Sequence, residues 1–415
     1  MKLLFVHQNI PGQYRELLRW LAARGSDELV FLTQRPDFPD MPGVKIVRYK
    51  PHHKSTDKSY ALTRHLEDCH GAGYAVAMAC QKLEAEGFRP DIVIGHVGWG
   101  ELTFLKQVWP DVPLLGYFEY FYLAEGGVMG FDPEYPAGET SKYVMHARNA
   151  LNYMNIATCD LGQTPTHWQH QTYPEAMRDK IYVCHDGIRC DLLGPDPDVS
   201  LSLGRLSKPL TRADEIFTYT SRNMEPTRGF HKFARALPEI LEARPNARVL
   251  IVGGNGTSYG RKSTSSGGYR GEMEAEIGDR VDWDRVHFLG RLAYPDYVKV
   301  TQIGRCAVHL SYPFVLSWSL LESMAMGAVM IASDTAPIRE VIEHGKNGLL
   351  VDFHDHGALA KQVIEVLANH DTYAPLGVAA RQHVQQTYDF ETVTLRQHLE
   401  RINSLVPKKV RMALP

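Results

Sequence analysis

Short apolar segments alternate with longer helical patterns along almost the whole chain. In the first half the apolar segments cover 2–6, 28–33, 44–49, 91–96, 113–118, 157–162 and 180–185, with long helices expected at about 59–86 and 139–153. In the second half the apolar segments cover 215–222, 247–254, 286–290, 306–312, 328–333 and 348–351. These segments are continuously apolar instead of alternating with polar residues, so they predict parallel strands whose two faces are both covered by helices.

One stretch interrupts this pattern. Residues 191–215 combine several prolines with serines and mixed charges, which is typical of a linker. The pattern therefore predicts an α/β protein with two doubly wound domains that face each other across a cleft. The predicted first domain covers 1–195, the linker 196–214 and the second domain 215–387. Ligands of open α/β sheets bind at the carboxyl ends of the strands, so the loops that follow strands are the places to search.

Composition narrows the class of protein. The formal net charge is −3 and no long basic block occurs, so we expect no nucleic acid partner. The short basic tail at 407–411 leaves a weak association with a membrane surface as a minor alternative. Six cysteines lack Cys-x-x-Cys spacing, and the first apolar run is too short for a signal peptide. These features predict a cytoplasmic location.

Three loops have features suited to a diphosphate, and a fourth, 251–260, contains glycines that we interpret mainly as a close-packing turn. The first, 7–14, contains Gly12, where backbone amides can approach a ligand. The second, 221–230, places Arg222 and Arg228 around a proline turn, and two guanidiniums match a diphosphate in charge and geometry. The third precedes a helix that starts near Ser317 and Ser319, whose amides and dipole favour a phosphate.

Glu322 is a single acid in the apolar stretch 311–334 and has two interpretations. In the structural one, Ser319 and Glu322 form a Ser-x-x-Glu capping box at the helix start. In the functional one, Glu322 accepts hydrogen bonds from a ribose diol, as acids do in nucleotide sites.

Several motifs of the chain resemble those of a known family. The run "LLESMAMGAVMIASDTAPIREVIEHGKNGLLVD" (320–352) is similar to the signature of the retaining family 4 glycosyltransferases, which have the GT-B fold. "RNMEPTRG" (222–229) resembles the diphosphate motif of that family, with Arg222 at its Arg position and Arg228 at its Lys position. "VHFLGRL" (286–292) resembles the loop that lines the nucleobase, and "CHDGIRCDLLGP" (184–195) the segment that closes the first domain.

The resemblance implies a retaining transfer of a sugar from a nucleotide diphosphate sugar, with UDP-sugars favoured and GDP-sugars as the alternative. It implies a donor-binding second domain, an acceptor-binding first domain, and a C-terminal helix (388–415) that crosses back to the first. No metal or other cofactor is expected. The acceptor class, whether a glycan, a lipid-linked, protein or small-molecule acceptor, stays open. The implied donor-binding residues are Gly12, Arg222, Arg228, Gly290, Arg291, Phe314, Ser317, Trp318, Ser319 and Glu322.

The chain departs from the family pattern at two places. The first Glu of the paired-acid motif is replaced by Phe314, and the usual double glycine near 336–338 is absent. Because one acid is lost, a non-catalytic protein that binds nucleotide sugars is one alternative, and a nucleotide-sugar epimerase of the same fold is another.

In the first half, His96 follows a strand and is a catalytic candidate beside Arg222, Arg228 and Glu322. The aromatic residues Tyr117, Tyr120, Phe121 and Tyr122 either stack on a sugar or lipid or pack into the core.

Overall fold

The computed structural model describes residues 1–204, 206–258 and 260–415 and divides the chain into two compact units. Unit 1 consists of Met1–Met129, Ala137–Gly187 and Phe390–Pro415, and unit 2 of Gly130–Pro136 and Ile188–Asp389. The sequence analysis assigned residues 130–136 and 188–195 to the first domain, whereas the structure groups them with unit 2. Arg205 in the predicted linker and Tyr259 in the Gly/Ser-rich stretch lie outside the described residues.

Unit 1 is built on a parallel sheet of seven strands with the order β3-β2-β1-β4-β5-β6-β7. Its strands are β1 (Lys2–Val6), β2 (Glu28–Thr33), β3 (Val44–Arg48), β4 (Ile92–His96), β5 (Leu114–Tyr117), β6 (Leu161–Thr164) and β7 (Ile181–Val183). Its first seven helices are α1 (Arg15–Arg24), α2 (Arg64–Ala85), α3 (Leu105–Val108), α4 (Ser141–Arg148), α5 (Ala150–Thr158), α6 (His167–Thr172) and α7 (Glu175–Arg178).

Both faces of this sheet are buried. Successive residues of β1 enter different apolar clusters, because side chains alternate across a strand. Leu4 and Val6 pack on one side with α2 residues, and Leu3 and Phe5 pack on the other with α1 residues. This double coverage explains why the strands are continuously apolar in sequence.

Unit 2 is built on a parallel sheet of six strands with the order β12-β11-β10-β13-β14-β15, plus a separate two-stranded hairpin. Its strands are β8 (Ser200–Leu201), β9 (Leu210–Thr211), β10 (Ile216–Asn223), β11 (Arg248–Gly254), β12 (Val286–Gly290), β13 (Cys306–His309), β14 (Val329–Ser333) and β15 (Leu349–Val351). Its helices are α8 (Phe230–Ala243), α9 (Gly268–Ile277), α10 (Tyr294–Ile303), α11 (Trp318–Ala325), α12 (Ala336–Arg339), α13 (His356–Ala368) and α14 (His370–Thr387).

The hairpin of β8 and β9 lies within the predicted linker. Val199 and Leu210 are buried there against Ile216, Leu250 and Val300 of unit 2. The segment is therefore packed into the core of unit 2.

The last segment of the chain returns to unit 1. A single π-helical turn, Phe390–Thr394, leads into α15 (Leu395–Leu405). Phe390, Leu395, Leu399 and Ile402 are fully buried in the same cluster as Leu3 and Phe5 of β1. The predicted fold class, two Rossmann-like α/β domains with a returning C-terminal helix, is confirmed.

Two predicted elements differ from the structure. The helix expected at 139–153 is divided into α4 and α5 at Asn149, whose side-chain amide pairs with both backbone groups of Tyr122 at 2.8 Å. The strand expected at 157–162 is wrong at its start, since Ala157 and Thr158 still belong to α5 and β6 begins at Leu161.

Among the described residues, the structure contains no helix with the length and apolar character that crossing a membrane requires.

Candidate functional site

Each sheet has one position at which the strand order reverses direction. In unit 1 this position lies between β1 and β4, and in unit 2 between β10 and β13. The loops that leave the carboxyl ends of such neighbouring strands diverge to opposite faces, which opens a crevice where open α/β sheets bind ligands. The sequence-predicted site residues lie in or near these two crevices.

In unit 2 the end of β10 and the loop that follows it carry two arginines. Arg222 is an exposed residue near the end of β10, and Arg228 ends the 3₁₀ turn Pro226–Arg228. Gly229 follows with φ +66° and begins α8; a Cβ there would lie 2.4 Å from the Cβ of Leu310. Glycine is required at this position both for its backbone conformation and for the close approach of the loop after β13.

A histidine lies beneath this loop. Burial lowers the pKa of His309, the last residue of β13, and the charge of Arg228 lowers it further, to about 3. His309 is therefore neutral at physiological pH and does not compete with the arginines for an anion.

The loop after β12 reaches β10 through one side chain. A guanidinium nitrogen of Arg291 donates to the Oδ1 atom of Asn223 at 3.0 Å, and Asn223 Nδ2 donates to the Ser258 hydroxyl at 2.6 Å. Gly290, just before, has φ +67°, which lets the chain turn sharply out of the strand.

The helix that follows this loop, α10, begins at Tyr294 and contacts α11. The hydroxyl of Tyr294 donates to Glu322 Oε1 at 3.0 Å, and Glu322 is buried. The predicted capping box is wrong: Ser317 is the N-cap of α11, without a side-chain cap bond, so Ser319 and Glu322 both lie inside the helix. The hydroxyls of Ser317 and Ser319 lie 2.9 Å apart instead.

Two further predicted residues flank this helix start. Phe314 lies in the loop after β13 and Trp318 is the first residue of α11, and both are half-buried. The structure thus joins three predicted segments, the end of β10, the loop after β12 and the start of α11, through Asn223 and Tyr294. Sequence reasoning missed these two connecting residues, although each lies within four residues of a predicted one.

In unit 1, Gly12 lies in the segment after β1 and His96 is the last residue of β4, on the two sides of the crevice. Gly12 has φ +57° and covers the ring of His7, to which a Cβ would approach within 3.0 Å. The His7 and His96 rings are nearly perpendicular, with centroids 5.3 Å apart. His7, which the sequence analysis missed, is the first residue after β1.

Both histidines are held in one tautomer. His7 Nδ1 accepts from the Asn9 amide at 2.8 Å, and His96 Nδ1 accepts from the Gly98 amide at 2.9 Å. A neutral ring with an accepting Nδ1 carries its proton on Nε2. Burial lowers the pKa of His7 to about 3, with a smaller contribution from the charge of His96, so His7 is neutral.

A carboxylate completes this cluster. Glu119 Oε2 lies 3.4 Å from His96 Nε2, and Glu119 Oε1 accepts from Gln13 Nε2 at 3.0 Å. Burial alone would raise the pKa of Glu119, but its contact with His96 outweighs burial and lowers the pKa overall. Glu119 is therefore an ionised, partly exposed acceptor beside a predicted catalytic histidine, at 29% side-chain exposure.

The aromatic residues of 116–136 mostly pack into the core. Tyr117, Tyr120 and Phe121 are buried and Tyr122 is half-buried. The hydroxyl of Tyr117 donates to Asp186 at 3.2 Å. The core-packing interpretation is therefore the one that the structure supports.

Among the described residues, Asp132, Glu134 and His231 of unit 2 place metal-type ligand atoms within 4.8 Å of one another. Glu134 already pairs with Lys232 and Arg235, and Asp132 already accepts from the Tyr312 hydroxyl at 3.0 Å. Two cationic side chains at the same atoms oppose a metal ion. We therefore interpret the group as a hydrogen-bonded ion network.

Two family models match the chain. The model described as "Glycosyl transferase family 4 group" matches residues 25–193, and "Glycosyl transferases group 1" matches 206–383. Between them they match parts of both units and leave out residues 1–24, 194–205 and 384–415.

Curated relatives match at low identity. A D-inositol 3-phosphate glycosyltransferase of Streptomyces scabiei is 24% identical over 301 residues, 70% of this chain and 62% of that protein. A phosphatidyl-myo-inositol mannosyltransferase of Mycobacterium leprae is 27% identical over 242 residues, 57% of this chain and 56% of that protein. The chain thus spans 62% and 56% of the length of these two relatives.

Solved structures match over nearly the whole chain. Sucrose-phosphate synthase from Thermosynechococcus elongatus has a TM-score of 0.73 at 18% identity, covering 97% of this chain and 98% of that one. HepE from Anabaena, in complex with UDP and glucose, has a TM-score of 0.68 at 18% identity, covering 97% and 100%. At such identities the likeness shows the shared fold.

Proposed function

The chain belongs to the family 4 glycosyltransferases, and from this we propose that it transfers a sugar from a nucleotide diphosphate sugar to an acceptor with retained anomeric configuration. The observation that carries the proposal is the crevice of unit 2, where Arg222 lies near the end of β10, Arg228 follows β10, and the helix start at Ser317 follows β13. Positive groups and helix amides placed in this way suit the charge that develops on a departing diphosphate.

Arg222 is available for such a ligand. In the part of the chain that the structure describes, its exposed side chain has no hydrogen-bond, ion-pair or aromatic partner. A guanidinium binds phosphate oxygens in pairs and stays charged at every physiological pH. Arg228 contributes a second charge from the other end of the same turn. Because these groups neutralise the leaving group themselves, the proposed reaction requires no metal or other cofactor.

The nucleoside is assigned to the segments that Asn223 and Tyr294 connect. Gly290 and Arg291 line the base, and Glu322, oriented by Tyr294, accepts the hydroxyls of the ribose. Phe314, Ser317, Trp318 and Ser319 surround the sugar and phosphates. UDP is the favoured nucleotide, since the HepE structure contains UDP, and GDP is the alternative, since one relative is named a GDP-mannose-dependent mannosyltransferase.

Unit 1 is assigned to the acceptor. Glu119 and the Nε2–H group of His96 provide an accepting and a donating atom side by side, which suits a hydroxyl. The names of the relatives mention inositol phosphate and phosphatidyl-myo-inositol, which supports a polyol or lipid-linked acceptor over a protein. We retain the prediction that Gly12 binds the donor through backbone amides. We retain the predictions of a cytoplasmic location and of a weak association with a membrane surface.

The test is incubation with UDP- and GDP-sugars, with and without candidate glycan, lipid-linked and small-molecule acceptors. The proposal predicts an acceptor-dependent product by mass spectrometry, an anomeric proton of unchanged configuration by NMR, and full activity in EDTA. Binding without nucleotide release would favour the non-catalytic alternative. A changed sugar on an intact nucleotide would favour the epimerase alternative.

A further inference from the structure

A short acidic segment, Gly130–Pro136, packs into unit 2 although its neighbours in the chain, Met129 and Ala137, belong to unit 1. We call this segment, "GFDPEYP", the strap. The function proposed above gives it no role. Its two prolines restrict its backbone, and its two carboxylates both contact residues near the unit 2 crevice.

Asp132 is the centre of the strap and is fully buried. Its Oδ2 atom accepts from the Tyr312 hydroxyl at 3.0 Å and lies 2.8 Å from His231 Nε2. Its Oδ1 atom accepts from the Glu134 amide at 3.0 Å. Burial alone would raise the pKa of Asp132, but these contacts, led by His231, lower it well below its usual range, so the carboxylate is charged.

The rest of the strap is anchored to the same unit. Glu134 pairs with Lys232 and Arg235 of α8, with an Arg235 contact of 2.6 Å. The ring of Phe131 packs on Tyr312 and Phe353, with centroids 5.1 and 5.2 Å away. The strap therefore has a defined position on unit 2.

The two partners of Asp132 belong to the two loops that form the crevice. Tyr312 lies in the loop after β13, five residues before the N-cap Ser317, and its amide donates to the carbonyl of Thr227 at 3.1 Å. His231 lies in the first turn of α8, three residues after Arg228. One buried carboxylate thus connects the segment that carries the arginines to the segment that leads into α11.

We propose that Asp132 is a positioning residue of the donor site, which holds the loop after β13 against the start of α8 so that the arginines and the α11 amides meet one diphosphate. The inference rests on the proposed function. Asp132 itself does not contact the donor, because a carboxylate repels phosphate and its oxygens are already used. A site whose donors are held in advance binds more tightly, since binding does not have to order them.

The test uses the full chain, with UDP and GDP as probes in isothermal titration calorimetry. Tyr312→Phe keeps the ring that packs on Phe131 and removes only the hydroxyl that donates to Asp132. Asp132→Asn removes the charge and keeps the size. We expect the nucleotide Kd to rise about tenfold in Asp132→Asn and somewhat less in Tyr312→Phe, in line with a lost hydrogen bond to a charged group. The double variant should bind nucleotide no more weakly than Asp132→Asn alone, because both substitutions act on the same Asp132–Tyr312 hydrogen bond.

Tyr269→Phe is the matched control. The Tyr269 hydroxyl donates to the carbonyl of Arg261 at 2.6 Å, and its ring packs on Tyr135 of the strap, a contact that Phe keeps. It removes a tyrosine hydrogen bond from the same unit without touching the two crevice loops, so its nucleotide Kd should equal that of the wild type.

Kinetics separate positioning from stability. If Asp132 positions the site, Tyr312→Phe raises the donor KM while the acceptor KM and the melting temperature stay near wild type. If Tyr312→Phe and Asp132→Asn lower the melting temperature but leave the nucleotide Kd and donor KM unchanged, the inference is overturned and the proposed function stands. A wild-type protein that binds neither UDP nor GDP would overturn both.

Discussion

The crevices of the two units occupy the same topological position but differ in chemistry. In unit 1 the loops after β1 and β4 (7–14 and 97–104) contain no lysine or arginine, and the crevice holds the neutral His7 together with His96 and Glu119. In unit 2 the end of β10 carries Arg222, and the loops after β10 and β12 carry Arg228 and Arg291. The first crevice suits an uncharged hydroxyl compound, and the second suits a polyanion.

The difference indicates that the topology of the parallel sheet determines where a ligand binds, whereas the residues at the strand ends and in the loops determine which ligand binds there. The two sheets use the same alternation of strands and helices. The residues near the carboxyl ends of the strands make the chemistry of the two crevices different. Substitutions in one crevice should therefore change the binding or turnover of one substrate and leave those of the other substrate unchanged.

The largest effect should come from removing the C-terminal helix α15, which packs into the core of unit 1. Deletion of residues 395–415 removes several buried side chains from the core of unit 1, and Leu→Ala changes alone cost about 2–5 kcal/mol each. We expect hydrogen exchange in β1, β2 and β4 to lose protection, whereas β10 and β13 keep theirs. Leu399→Ala is the milder form, and Leu367→Ala in α13 is the control that should weaken unit 2 instead. Equal loss in both units after the deletion would contradict independent cores.

The next effect concerns the arginines of unit 2. Arg222→Ala and Arg228→Ala should each lower kcat/KM for transfer about 10²–10³-fold, the range for a lost group that stabilises transition-state charge. The melting temperature should barely move. Arg396→Ala, which removes an exposed arginine paired with Glu400 on α15, is the control and should leave kcat/KM unchanged. Variants that unfold while retaining normal activity per folded molecule would show that the arginines are structural.

A smaller effect should follow from the carboxylate of unit 1. Glu119→Gln removes the charge beside His96 and should lower kcat about 10–100-fold, as for a lost charged hydrogen bond. The Kd for UDP should stay unchanged, because the diphosphate is assigned to unit 2. Steady-state kinetics with varied acceptor, combined with nucleotide titration, measures both. A raised UDP Kd with normal acceptor kinetics would reverse the assignment of the two crevices.

Acid should destabilise unit 1 through its buried histidines. Burial lowers the pKa of His7 and His185 to about 3 and of His65 and His398 to about 4, against an unfolded value near 6.5. The unfolded chain thus binds more protons between these values, so stability falls as pH drops from about 6.5 towards 4. Each histidine contributes up to about 1.4 kcal/mol per pH unit. Urea unfolding at several pH values, with hydrogen exchange to assign the unit, measures it; a pH-independent midpoint across that window would contradict the burial of these rings as neutral groups.

The smallest effect concerns donor selectivity at Phe314. A phenyl ring cannot accept a hydrogen bond from a sugar hydroxyl, so donors lacking one hydroxyl should lose less than about tenfold in kcat/KM. A site built to hydrogen-bond that hydroxyl would discriminate by about 10⁴. Phe314→Ala should change the ranking of donors while leaving the acceptor kinetics of unit 1 unchanged. A large deoxy penalty and a ranking untouched by the substitution would place Phe314 away from the sugar.

The sequence by itself determined the α/β class, most strand positions and the family. Continuous apolar segments such as 2–6 and 28–33 predict strands that are buried on both faces. The candidate site residues that follow such segments can be found from the sequence because they lie close together in the chain. Arg222 and Arg228 could be found because they lie six positions apart around one turn.

The tertiary structure decided which side chains meet across long separations. Tyr294 and Glu322 are 28 residues apart and Asp132 and Tyr312 are 180 apart, so no local pattern connects them. The capping box is wrong for the same reason. A Ser-x-x-Glu spacing fits a helix start, but the N-cap of α11 is Ser317, and the hydroxyl of Tyr294, the first residue of α10, donates to the Glu322 carboxylate. Local spacing determines which contacts a segment can make, and packing between segments determines which of them form.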